Sequence, residues 1–242
     1  RSPVTSRSKP MLYTPPTIAL ISELFHPPLQ PDPAPIQKLH NRMFQGTEPA
    51  YSSFAVTPAG AVLSNPVHQP GASSFAAFFA DRFQFREELS SLTYDGFATR
   101  VREISEQVCQ LRNIQVFTAH QVTIRTLINP RHFKDSRAFL KQGMFGFDDE
   151  VDEFERDPQL YGIRLVFPAG AGQPGAYSLR VESFNNDIRS IYIENQGTFG
   201  PVLVESGLAT IEQNILDAYR FVTEKTVRFV SHFDAPTQAE EA

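Results

Sequence analysis

The feature that most constrains this chain is a stripe of apolar residues. Tyr94, Phe97, Val101, Ile104, Val108 and Leu111 recur at alternating steps of three and four, the spacing that presents one face of an α-helix to a core. Thr93 stands directly before the stripe as an N-cap, so the pattern predicts an amphipathic helix of about five turns. Leu208, Ile211, Ile215, Ala218 and Val222 reproduce the first five positions at a constant offset, and the stripe continues through Phe229, Val230 and Phe233. Ser206 is the expected cap there. Two long helices of this kind each need an apolar layer to lie on, and the rest of the chain has to supply it.

The remaining segments read as that layer. Ile21, Leu24, Phe25 and Pro27 recur as Ile124, Leu127, Ile128 and Pro130, each run a strand closed by a proline. Helical segments follow at Pro35 to Phe44 and Phe133 to Gln142. Strands are then expected at Tyr51 to Thr57, Ser74 to Phe79 and Phe83 to Leu89, and again at Tyr161 to Phe167, Tyr177 to Phe184 and Arg189 to Glu194. Asn185, Asn186 and Asp187 mark a hairpin turn, because Asn and Asp tolerate positive φ. The resulting expectation is an α+β fold. Its two pseudo-repeats of strand, helix, strands and long helix, 13–114 and 115–234, would share one curved, mainly antiparallel sheet with both helices on one face. The polar ends, 1–12 and 235–242, are expected to be disordered.

Pro15, Pro16, Ile18, Ile21, Glu23, Leu24 and Phe25, together with the Arg-x-x-x-Asn run from Arg125 to Asn129, resemble the motifs of a sporadically distributed bacterial family of uncharacterised proteins. This chain departs from that pattern at Ala19, where relatives usually carry Glu. The resemblance implies no particular chemistry. The duplicated order of elements is also similar in topology to the TATA-binding-protein saddle, which would imply a nucleic-acid-binding sheet. A minor-groove binder needs cations around its apolar wedges, and a formal net charge of -5 argues against that reading.

Composition narrows the function classes further. With 41% hydrophobic and 20% charged residues the chain has the make-up of an ordinary soluble protein, and no apolar run is long enough to span a membrane. The single cysteine, Cys109, cannot form an intramolecular disulfide, which favours a reducing, cytoplasmic setting. No Gly-rich phosphate loop, His-Glu-x-x-His helix, paired Cys or nucleophile elbow is present, so no catalytic residue, metal site or cofactor is assigned.

Three groups of residues remain as binding candidates. Phe75, Phe78, Phe79, Phe83 and Phe85 crowd one stretch of a chain with 21 Phe and no Trp, and an uncovered aromatic strand face would mark an interface. Asp148, Asp149, Glu150, Asp152, Glu153, Glu155 and Asp157 form an acidic segment in which Val151 and Phe154 offer one apolar contact stripe to a basic partner. Arg125, Arg164 and Arg180 fall in expected strands, and on one sheet face they would form an anion-binding platform. The leading expectation is a non-enzymatic binding or assembly protein that engages a protein partner or a second copy of itself. A small-molecule or anion binder, conceivably an enzyme, is the alternative.

Overall fold

The computed structural model describes residues 13, 16–46, 49–147, 149–170 and 172–235. Both terminal tails, apart from Ala235, lie outside the described residues, as do Pro15 and Asp148.

Helices and antiparallel strands share the chain. It runs β1 (Thr17–Phe25), α1 (Ala34–Met43), β2 (Ser53–Thr57), β3 (Gly60–Ser64), β4 (Ser73–Phe78), β5 (Arg82–Glu88) and α2 (Tyr94–Arg112). Then come β6 (Val116–Phe117), β7 (Ala119–Ile128), a short α3 (Ser136–Ala138) that widens into a π-turn at Phe139–Phe145, β8 (Gly162–Phe167), β9 (Ala176–Ser183), β10 (Ile191–Phe199) and β11 (Val202–Leu203). The chain ends in α4 (Ala209–Arg220), a π-turn at Phe221–Thr226 and α5 (Val227–Ser231), which follow one another without a break.

Nine strands form one sheet in the order β2-β3-β4-β5-β1-β7-β10-β9-β8, and every neighbouring pair is antiparallel. The first long strands of the two sequence halves, β1 and β7, lie side by side in the middle. Alternation fixes what each face carries. Leu20 and Leu24 of β1, Val122 and Ile124 of β7, Phe83 and Phe85 of β5, and Ile191 and Ile193 of β10 are buried and join one core, with the polar Ser22 of β1 buried on the same face. That core is completed by the stripe residues Phe97, Val101, Ile104 and Val108 of α2 and Ile211, Ile215 and Ala218 of α4. The two helices pack against each other and against the central strands. Tyr94 and Tyr219 stack across them with centroids 3.9 Å apart.

Thr93 caps α2 as expected, its hydroxyl accepting from the Gly96 N–H at 3.2 Å. Ser206 does not cap α4. It sits in a 3-10 turn, Val204–Ser206, and the N-cap falls on Leu208, whose hydrocarbon side chain has no acceptor to offer and is buried in the core. The helix expected from Phe133 starts later, at Ser136, where Asp135 accepts from the Ala138 N–H at 2.8 Å. Tyr51 precedes β2 rather than belonging to it, and β3 was not expected at all. A five-residue strand opened by glycine carries almost no periodic signal.

Candidate functional site

The helices occupy one face of the sheet, and the residues that alternate out of the core define the other. From β5 to β8 this second face presents Arg82, Gln84, Arg86 and Glu88, then Glu23, Gln121, Thr123 and Arg125, then Glu194, Gln196, Ser178, Arg180, Glu182 and Arg164. Cross-strand register lines several of these up. Glu88 stands opposite Ala19, Ala19 opposite Arg125, Arg125 opposite Glu194, Glu194 opposite Arg180, and Arg180 opposite Arg164.

The row is bonded along its length. Arg125 Nε donates to Glu194 Oε2 at 2.8 Å, and its Nη1 lies 3.6 Å from Glu88, which also pairs with Arg86. Arg180 bridges Glu182 at 2.8 Å and Glu194 at 3.5 Å, and the Tyr192 hydroxyl donates to Glu194 at 2.8 Å. Half-burial raises the Glu194 pKa, but the hydrogen bonds from Tyr192 and Arg125 and the charges of Arg125 and Arg180 outweigh it, so the carboxyl is held below its ordinary value. The same half-burial, then the Glu194 contact, pushes the Tyr192 phenol up. The charges of Arg86, Glu88, Arg125, Glu194, Arg180 and Glu182 are therefore held by one another rather than left to swing in water. Ala19 and Ile21 are buried beneath this polar layer.

All three candidate arginines lie on this face, but they are not equivalent. Arg125 and Arg180 already hold carboxylates, so an incoming anion would have to displace Glu194 to reach them. Arg164 is exposed; its Nε donates to Ser178 Oγ at 3.1 Å, and among the described residues it joins no ion pair. It stands directly opposite Arg180, a like-charge pairing that costs stability unless neighbours screen it.

The aromatic candidates divide. Phe78, Phe83 and Phe85 are core residues, packed edge to face with one another and with Phe117, so they cannot form an exposed groove. Their strands present alternate side chains to the helices, and a phenylalanine on the helix side fills the space beneath α2. Phe75 lies opposite Arg86 on the open face, and Phe79 lies beyond the end of β4 under the Arg82 guanidinium. In the acidic segment, Glu150–Phe154 forms a 3-10 turn that buries Val151 and leaves Phe154 69% exposed. The two do not make one exposed contact stripe, because Val151 is drawn into the core while Phe154 stays in solvent.

One constellation is invisible in the sequence. Ser22 Oγ lies 2.9 Å from His120 Nε2, and Asn214 Nδ2 lies 3.2 Å from His120 Nδ1, joining β1, β7 and α4. Hydroxyl, imidazole and amide in this order resemble a nucleophile with its base. The details oppose that role. The Asn214 amide donates into Nδ1, which leaves the ring proton on Nε2, pointing at the hydroxyl it would have to deprotonate. Ser22 and His120 have no exposure, and burial lowers the His120 pKa to about 3. The group is a satisfied polar link that sets the docking of α4 on the sheet. Among the described residues, no three His, Cys, Asp or Glu side chains converge as metal ligands, and no helix is long and apolar enough to cross a membrane. Comparisons with protein-family models and with curated protein sequences find no match to this chain.

Proposed function

We propose that this protein is a non-enzymatic binding protein whose docking surface is the open face of the nine-stranded sheet, and that its partner is another protein. The observation that carries the reading is the fixed ladder of arginines and glutamates on a face that no element of the described chain covers. Arginine held by carboxylates loses little side-chain freedom on docking, and alternating charges select a partner by pattern rather than by total charge. A nucleic-acid saddle would need its cations unpaired, whereas Arg125, Arg180, Arg82 and Arg86 here all face carboxylates. The strand order, in which an antiparallel meander runs back toward the β1–β7 pair from each edge, four strands (β2 to β5) on one side and three (β8 to β10) on the other, supports the view that 13–114 and 115–234 are pseudo-repeats of one ancestral unit. A cytoplasmic setting fits the single buried thiol, Cys109.

The test is a comparison of variants. Thr123→Arg with Gln196→Arg places new charge on the open face, and Gln110→Arg places it on the exposed side of α2. Cross-linking in the native cell should capture the same partner with wild type and Gln110→Arg and lose it with the double variant. Identical capture by all three would sink the reading.

A further inference from the structure

The register of the open face arranges its charges in a row that is complementary to its own reverse. Across β5, β1, β7, β10, β9 and β8 the row reads Glu88, Ala19, Arg125, Glu194, Arg180, Arg164. Turned end for end about the point between Arg125 and Glu194 and laid on itself, it sets Glu88 against Arg164, Ala19 against Arg180 and Arg125 against Glu194, each twice. Four of these six contacts join opposite charges and none joins like charges. The next row along the strands obeys the same operation: Arg86 meets Val166, Ile21 meets Ser178 and Thr123 meets Gln196. On the other side of the charged row, Leu127 meets Tyr192.

Only one placement of the axis makes all these matches. Moved by half a strand, it sets Arg125 or Glu194 on its own copy; moved by a whole strand, it sets Glu88 on Glu194 or Arg125 on Arg164. An axis on β1 avoids such clashes but makes half as many opposite pairs and leaves Arg164 without a carboxylate.

Reversal of this kind is what a two-fold axis does when it lies between two stacked sheets and parallel to their strands, since an isologous interface pairs each residue i with j and j with i. A two-fold also keeps the hand of the sheet twist, so two copies can lie in aligned layers about 10 Å apart. On the basis of the open-face reading, we propose that the occupant of this face is a second copy of the chain, related by a two-fold axis running between β7 and β10. The six strands from β5 to β8 and the seven residues from Gln121 to Leu127 give a flat footprint of about 700 Å², close to the ~800 Å² per partner of a standard interface. Arg125 and Glu194 keep each other while the reversed pair of the second copy stacks on them, so burial strands neither charge. Arg164, exposed and set opposite Arg180, gains the Glu88 carboxylate of the second copy.

The test is sedimentation equilibrium of the full chain at low salt. Wild type should dimerise, and Gln110→Arg, on the exposed side of α2, should match it. Arg164→Glu sets two carboxylates against each other at both ends of the row and should weaken the dimer at least about tenfold, with an unchanged melting curve. Adding Glu88→Gln to Arg164→Glu removes that clash across the axis and should recover dimerisation severalfold. Adding Glu182→Gln instead removes a carboxylate near Arg164 within the same chain and should recover nothing. A monomeric wild type, a dimer indifferent to Arg164→Glu, or equal recovery by Glu88→Gln and Glu182→Gln overturns the second-copy assignment. The open-face reading fails separately, when the cross-linked partner survives Thr123→Arg with Gln196→Arg.

Discussion

His120 is the residue at which burial has the clearest solution consequence. Its neutral ring satisfies Ser22 and Asn214, and a proton added to Nδ1 would confront the Asn214 amide inside the core. The folded pKa of about 3 lies below the ordinary 6.5, so the unfolded chain binds more protons between these values. Stability is thus complete above about pH 6.5 and declines as the pH falls toward 3, by roughly 2 kcal/mol at pH 5 from this residue alone. Urea titrations at pH 7 and pH 5 should show that loss in wild type and a smaller one in His120→Gln. A His120→Gln variant with the same acid sensitivity would assign the effect elsewhere. The sequence does not disclose this link, because Ser22, His120 and Asn214 are separated by about a hundred residues at each step and come together only through the β1–β7 pairing and the packing of α4 on β7. The arginines were more legible. Arg125, Arg164 and Arg180 each sit in strands where alternation restricts them to one of two faces, yet their carboxylate partners depend on which strands are neighbours.

At the scale of elements, the helices were readable and the short strands were not. The stripe from Tyr94 to Leu111 carries its own period, and its cap lies next to it in the chain. Thr93→Ala removes the side-chain cap on the first turn of α2 and should cost about 1 kcal/mol in chemical denaturation, with the fold retained. Strand β3 is held by a different device. Gly60 has φ of 153°, and a Cβ there would lie 2.2 Å from the Phe78 carbonyl oxygen of β4. Gly60→Ala should therefore force β3 away from β4 and cost more than Thr93→Ala. Amide exchange should accelerate across β2 and β3 while protection of β10 is unchanged; uniform acceleration would show that this corner is not a separate unit. The phenylalanine stretch shows why composition misled. Aromatic crowding says that a core is near, but only the register Phe78 to Phe83 and Ala76 to Phe85 tells which rings enter it.

For the molecule as a whole, the pairing of β1 with β7 in mid-sheet means that neither sequence half has a complete environment by itself. Cut at 114, the first fragment would expose the full edge of β1 and the α2 surface that packs on α4. Expressed singly, the two fragments should give poorly dispersed amide spectra. Mixed, they should regain the spectrum of the intact chain. Well-dispersed spectra from both single fragments would show that each half is autonomous. The same arrangement bears on how the protein is made. While the ribosome still holds the second half, β1 has only β5 beside it, and its other side waits for a strand roughly a hundred residues behind. At ~5–20 residues per second that interval is on the order of 5–20 s, long enough for a chaperone to find the nascent sheet or for a neighbouring polysome product to pair with it first.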